Sequence, residues 1–327
     1  MGETLLLVED LKTHCFTRAG VIKAVDGVSF FVNRGEALGI VGESGCGKSM
    51  TCASIVRLVP QPAARIVGGK ILFAGDDLLT KDESEMREIR GNKITMILQD
   101  PLMSLNPVYT IGNQVSEMFK LHGRKLPRPT MKQKVVEVLT RVKIPSAENR
   151  LKDYPFQFSG GMRQRTVAAM AIAGEPRLLI ADEPTTSLDV TIQDQFLLLL
   201  KEMQEQTNMG LILVTHDLGI VAQTCDRIVV MYAGKIVESG DVPRVYGGPA
   251  HPYTEALLQA LPRIGVRHKR LFQIGGEPPH FLNLPSGCSF WPRCHKVMDI
   301  CRREYPPSFP VEDGRQAACW QLKKGDV

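Results

Sequence analysis

Gly42-Glu43-Ser44-Gly45-Cys46-Gly47-Lys48-Ser49 reads G-x-x-x-x-G-K-S. The apolar run from Ala37 to Val41 leads into it. Residues 50–58 follow with apolar side chains at helical spacing. Strand, glycine loop and helix is the context a phosphate-binding loop needs. The glycines let the backbone curl until its N–H groups converge on an anion, and the helix N-terminus adds partial positive charge. Lys48 is expected to reach the β- and γ-phosphates, and the Ser49 hydroxyl to ligate Mg²⁺. Gly42, Ser44, Gly45, Cys46, Gly47 and Met50 complete the expected phosphate-contacting set.

Around this loop lie 327 residues, 43% hydrophobic and 23% charged, as in a globular chain of about two domains. The net charge of +5 could suit an acidic membrane surface but is too small to argue for nucleic acid. The longest apolar runs, residues 167–173 and 196–200, are too short to span a bilayer. The first ten residues lack the basic start of a signal peptide, and Leu6 stands where a myristoylation motif needs Ser or Thr. A cytosolic chain with reduced thiols is expected. Four of its eight cysteines are scattered (Cys15, Cys46, Cys52, Cys225) and four cluster late (Cys288, Cys294, Cys301, Cys319).

In chain order, residues 4–8, 21–25 and 28–32 read as strands, with Asp26-Gly27 as a turn. Phe16 either stacks on a bound base or is a half-buried strand residue, with equal weight. Residues 70–73 and 94–98 read as strands. Gln99 follows the second, at the carboxyl edge where ligands of open parallel sheets bind. Residues 111–122 and 131–142 have helical periodicity, with a basic, proline-bearing loop at 123–130. Ser159 should cap a helix over 162–173 that Gly174 ends, and the amides after it form a second anion site. The strand at 178–181 delivers Asp182, expected to hold Mg²⁺ through water, and Glu183, expected to orient or deprotonate the attacking water. A helix around 192–203, its turn closed by Gly210, leads to a strand at 211–214. That strand ends in His216, placed for a γ-phosphate contact. Residues 228–232 and 235–238 form a hairpin around Ala233-Gly234.

This constellation resembles the ATP-binding subunit of an ABC transporter over roughly the first 245 residues. Residues 42–49 match a Walker A motif, 178–183 a Walker B and Ser159-Gly160-Gly161-Met162 the signature. Gln99 matches the Q-loop, Ser187-Leu188-Asp189 the D-loop and His216 the switch histidine. The resemblance implies an α/β fold: a P-loop NTPase core with an antiparallel β subdomain and an inserted helical subdomain at about 100–168. An irregular Cys-rich extension then covers 246–327. It implies an ATPase with Glu183, His216, Gln99 and Lys48 catalytic. Ser49, Gln99 and Asp182 would hold Mg²⁺, and Phe16, Ser159, Gly160, Gly161 and Asp189 would join the ATP contacts. Met162 departs from the usual signature Gln, with a small expected effect. The partners implied are a second ATP-binding subunit, a different chain packed head to tail, and two transmembrane permeases. An extracytoplasmic substrate-binding protein acts indirectly, and no nucleic acid is involved. The place implied is the cytoplasmic face of the cell membrane.

The stretch His251-Pro252-Tyr253-Thr254-Glu255-Ala256-Leu257-Leu258, then Pro262, resembles the extension of oligopeptide/dipeptide and nickel importer ATPases. So do residues 99–107 and 158–165. Di- or oligopeptides are the implied cargo, with nickel chelates and oligosaccharides as alternatives. A soluble ABC ATPase acting on DNA or ribosomes fits poorly. Gln99 and Ser159 are too close for an intervening coiled coil, and there is one phosphate loop. A non-catalytic iron–sulfur carrier is opposed by intact Glu183 and His216.

The spacing Cys288-x₅-Cys294-x₆-Cys301-x₁₇-Cys319 lacks the tight pair usual in zinc sites. It leaves an iron–sulfur cluster, Zn²⁺ or four free thiols open, with His295 as an alternative ligand. The resemblance favours a [4Fe–4S] cluster in this tail. Cys46, beside a helix N-terminus and Lys48, is expected to be either a reactive, low-pKa thiol or a space-filling residue.

Overall fold

The computed structural model describes residues 2–100, 104–121, 126–186, 188–261 and 272–323. Parts of the expected Q-loop stretch (101–103), the end of the expected helix 111–122 with the start of the basic loop (122–125), the D-loop (Ser187) and Pro262 lie outside them. The chain divides into two compact units that interleave along the sequence: 1–5, 33–37 and 80–214 form one, and 6–32, 38–79 and 215–327 the other.

The second unit carries the phosphate loop. Strands β1 (Thr4–Thr17) and β2 (Gly20–Asn33) are each 14 residues long, far longer than the three short strands expected. Asp26-Gly27 is not a turn but lies within β2. Gly27 at φ +82° faces Asp10 at φ +46°, so the Asp-Gly signal marks a kink in a continuous ladder. β1 and β2 join β4 (Ala64–Phe73) and the short β5 (Asp76–Asp77) in an antiparallel sheet, order β2-β1-β4-β5. β3 (Ala37–Val41) is buried at all five positions and pairs in parallel with β9 (Arg227–Tyr232). A strand covered on both faces needs such an unbroken apolar run. β9 turns through Ala233 (φ +47°) and Gly234 (φ +81°), as the hairpin reading expected, into β10 (Lys235–Asp241). α1 (Lys48–Ile55) follows the loop.

In the first unit β6 (Ile94–Ile97), β7 (Leu178–Asp182) and β8 (Gly210–Thr215) pair in parallel, in that order. α2 (Glu83–Ile89) is closed at its start by a reciprocal Asp82–Glu85 capping box. The helical insertion holds α3 (Ile111–Leu121), α4 (Arg128–Arg141), the single turn α5 (Ala147–Arg150) and α6 (Gly160–Ile172). α7 (Val190–Thr207) follows.

Two helix ends depart from expectation. The left-handed residue after α6 is Glu175 (φ +57°), and the one after α7 is Asn208 (φ +53°). Gly174 is instead required by proximity, since a Cβ there would lie 2.4 Å from the Gly91 carbonyl oxygen. Gly210 begins β8 rather than closing the turn before it.

Beyond β10 come α8 (Leu218–Thr224, between β8 and β9), α9 (Val242–Gly247) and α10 (Pro252–Gln259). The rest of the tail is short 3₁₀ turns and the two-residue strands β11 (Phe309–Pro310) and β12 (Gln316–Ala317). β12 adds to β10 antiparallel, Glu238 opposite Ala317. A buried aromatic group of Tyr232, Tyr253 and Phe290 anchors the tail, with ring centroids 4.6 to 5.3 Å apart. Among the described residues no helix is long and apolar enough to cross a membrane.

Candidate functional site

The phosphate loop is built by close backbone approach. A Cβ on Gly42, at φ +152°, would lie 2.2 Å from the Met231 carbonyl oxygen. One on Gly47, at φ +108°, would lie 2.3 Å from that of Ala24. Neither position admits another residue without moving a strand. Lys48 is buried, and its ammonium donates to the carbonyls of Gly42 (2.8 Å) and Glu43 (3.1 Å). It therefore sits in the hollow of the loop, where a phosphate would meet it. Ser49, the second residue of α1, is exposed, and Ser44 and Gly45 are exposed on the rim.

Cys46 corrects one expectation. It is 5% exposed, and burial raises its thiol pKa more than Lys48 lowers it. The low-pKa reading is overturned, because desolvation of a thiolate outweighs one nearby ammonium here. The space-filling reading stands.

Phe16 is 45% exposed near the end of β1, with the Arg65 guanidinium 5.6 Å from its ring centroid. His216 is exposed between β8 and α8. Asp217 beside it caps α8, accepting from the Gly219 amide at 2.7 Å.

The other unit carries the expected acids. Asp182, the last residue of β7, is 6% exposed. Glu183 follows at φ +44°, a strained conformation for a carboxylate residue and of a kind found at reactive positions. Its carboxylate accepts from the Gln99 amide at 3.1 Å and from the Thr186 hydroxyl at 3.2 Å. The fold thus brings together two residues that the sequence separates by 84 positions. The pair can grip a water and pull its proton.

Ser159 caps α6 as expected, accepting from the Met162 amide at 3.4 Å, and it and Gly160 are exposed. Gly161 is needed for packing, since a Cβ there would lie 2.6 Å from Ile192 of α7. Asp189 caps α7 through the Ile192 amide at 3.1 Å. Sequence reasoning missed Gln164. It is fully buried on α6 and donates to the Pro184 carbonyl at 2.6 Å, tying the signature helix to the loop behind Glu183. A fully polar residue on the apolar face of a helix was the available signal.

All four late cysteines line one cavity with Phe290, Trp291, Pro306 and Trp320. Burial pushes the Cys288 thiol up to about 11, and it raises Cys294 and Cys319 as well. The buried indole N–H of Trp291 has no hydrogen-bond partner. The donor chemistry suits a thiolate-bound group, but the room does not. The cavity is about 10 Å³, space for about one water. Among the described residues no three Cys, His, Asp or Glu side chains are set to hold a metal ion. The expected [4Fe–4S] or Zn²⁺ site is therefore not formed in this structure. His295 is 55% exposed beside Glu255, as surface histidines are.

Also missed were Tyr232, Tyr253 and Arg293, which surround Glu43 of the phosphate loop. Nothing in their spacing pointed to that loop, which they follow by about 190 to 250 positions.

Residues 25–186 match a family model described as "ABC transporter", and residues 237–301 one described as "Oligopeptide/dipeptide transporter, C-terminal region". A probable peptide ABC transporter ATP-binding protein of Sinorhizobium fredii is 48% identical over 98% of this chain and 96% of its own. The dipeptide transport ATP-binding protein of Bacillus subtilis is 48% identical over 97% and 95%. Among solved structures, a dimeric ATP-binding cassette bound to ADP and phosphate aligns with a TM-score of 0.65 at 24% identity, over 73% of this chain and 99% of its own. The cbiO1 component of the Clostridium perfringens cbiONQ complex aligns at 0.63 and 28%, over 75% and 92%.

Proposed function

The chain belongs to the ABC transporter ATPases of the oligopeptide/dipeptide importer family, and from that premise we propose that its ATP turnover powers import of di- or oligopeptides. The observation that carries the hydrolytic reading is the 3.1 Å hydrogen bond between Gln99 and Glu183. It sets a carboxylate and an amide at the carboxyl edge of the parallel sheet, where a water would be activated. Lys48 and Ser49 would hold the phosphates and Mg²⁺, with Asp182 and Gln99 completing the metal's surroundings. The open face of Phe16 would stack on adenine. Residues 1–245 would act as the nucleotide-binding domain and 246–327 as its extension.

The exposed Ser159-Gly160 edge supports a head-to-tail partner, a second ATP-binding subunit whose loop this signature would complete. Exposed Leu98, Val108 and Tyr109 flank the Gln99 stretch and support docking of two permease subunits there, on the cytoplasmic face of the membrane. A substrate-binding protein would deliver cargo from outside.

Glu183→Gln in the assembled transporter tests the core of this. ATP turnover should fall about 10²- to 10⁴-fold with nucleotide binding retained. Persistent turnover would remove Glu183 as the base. Uptake of a radiolabelled dipeptide, competed against nickel chelates and oligosaccharides, decides the cargo.

Cys288, Cys294, Cys301 and Cys319 are proposed as ligands of one [4Fe–4S] cluster, with Zn²⁺ as the alternative. Support comes from the donor chemistry alone, four cysteines beside the unpartnered Trp291 N–H; the cavity, about 10 Å³ here, would have to open to admit the group. When bound, such a group would cross-link the tail. Iron, acid-labile sulfide and zinc assays on protein purified without oxygen test this. Zinc without sulfide would remove the cluster.

A further inference from the structure

Glu43 has no role in a G-x-x-x-x-G-K-S motif, where its position accepts any residue. In this chain all three of its polar groups are engaged. Its amide donates to the Tyr253 hydroxyl at 2.9 Å. Its carbonyl accepts from the Lys48 ammonium at 3.1 Å. Its carboxylate takes a two-pronged ion pair from Arg293, at 2.6 and 2.8 Å. Arg293 lies 250 residues away, in the 3₁₀ turn Trp291–Arg293 that directly precedes Cys294.

Arg293 is itself locked. Its side chain is 4% exposed and that of Glu43 is 24% exposed, so the pair is sheltered from solvent screening. Its Nε donates to the Gly275 carbonyl at 3.0 Å, and its Nη1 also reaches the Tyr232 hydroxyl at 3.2 Å. The guanidinium stands 5.9 Å from the ring centroids of both Tyr232 and Phe290. A planar fork held on several sides and matched to a carboxylate fixes direction as well as charge, which a lysine cannot do.

We propose that Arg293 is a positioning residue for the phosphate loop: it fixes Glu43 and, through the Glu43 carbonyl, the Lys48 ammonium. The tail is then part of the nucleotide site rather than an appendage. This rests on the reading of residues 42–49 as the ATP-binding loop. Neutralising either side chain leaves the partner charge sheltered and unpaired. The loop then loses its outer constraint, and Lys48 its fixed place.

The test uses the full-length chain and mant-ATP. Glu43→Gln is the cleaner variant, because Glu43 lies outside the tail's own packing. Glu43→Gln and Arg293→Gln should each weaken mant-ATP binding on the order of tenfold, and raise KM for ATP by a larger factor than they lower kcat. The double variant should be no worse than the poorer single, because both remove one interaction. Arg293→Lys should recover only part of the affinity. Unchanged binding in Glu43→Gln, or losses that multiply in the double variant, would overturn the proposal. Lys48→Ala is the control. If it binds mant-ATP as wild type does, the ATP-loop reading itself fails, and the Arg293 proposal with it.

Discussion

The phosphate loop and the cysteine-bearing tail are both irregular backbone, yet they are held in different ways. The loop is short and enclosed by strands. Gly42 lies against the Met231 carbonyl and Gly47 against that of Ala24, and the ammonium of Lys48 closes the hollow. Its form follows from local chain chemistry plus two strand neighbours. Over residues 272–323 the tail has no element longer than four residues. It depends on scattered contacts: β12 on β10, the Tyr232–Tyr253–Phe290 rings, and the Trp320 indole donating to the Glu304 carbonyl at 3.0 Å. Irregular chain without a ladder must satisfy its polar groups one by one. A loop can be conformationally strict because its neighbours are regular, whereas the tail is only as firm as its individual contacts.

The largest effect that sharpens this contrast lies within the loop. Gly42→Ala should abolish mant-ATP binding and cost about 3 kcal/mol or more of stability, because the new methyl meets backbone. Gly45→Ala, at φ +76° with nothing within 4 Å of its new Cβ, should cost only about 1 kcal/mol. Urea unfolding and nucleotide titration of both variants check this. Equal effects would break the claim that close strand neighbours set the loop.

A second test falls where the tail begins. His251 is fully buried, and burial pulls its pKa down to about 3, while its Nδ1 accepts from the Tyr253 amide at 3.0 Å. The folded chain therefore keeps this imidazole neutral, whereas the unfolded chain protonates it below its ordinary value. That contribution is fully present above about pH 6.5 and is lost as pH falls toward about 3. The slope is at most about 1.4 kcal/mol per pH unit. Neighbouring Glu238, raised by burial, works in the opposite sense. The measurement is thus the difference in unfolding free energy between wild type and His251→Asn across pH 4 to 7, roughly the interval between those pKa values. A difference that does not change with pH would place His251 in contact with solvent.

The smallest effect compares two thiols. Cys46 is buried, whereas Cys294 is only half-buried, and burial raises the pKa of both. In folded protein stripped of any bound metal, iodoacetamide should label Cys294 before Cys46, as read by peptide mass spectrometry. Faster labelling of Cys46 would show that the loop opens more readily than the tail.

Periodicity and motif chemistry made the core legible in the sequence. The runs 37–41, 178–182 and 210–215 are apolar because a parallel strand is covered on both faces; the first leads into the glycine loop and the other two end in Asp182 and Thr215. Local cues misled where their meaning depended on a neighbour. Asp26-Gly27 resembled a turn but kinks a long strand. Gly174 resembled a helix stop but makes room for Gly91. Cys46 read equally as an activated thiol or a space-filling residue until its burial was known.

Residue types and spacings marked the candidates for phosphate, acid and amide chemistry, because both are intrinsic to the chain. Only the tertiary structure decided that Gln99 meets Glu183, that Gln164 ties the signature helix to Pro184, and that Arg293 clamps Glu43. Such pairs join positions tens to hundreds of residues apart. A hydrogen bond across that interval leaves no period in the sequence, so burial and geometry alone reveal it.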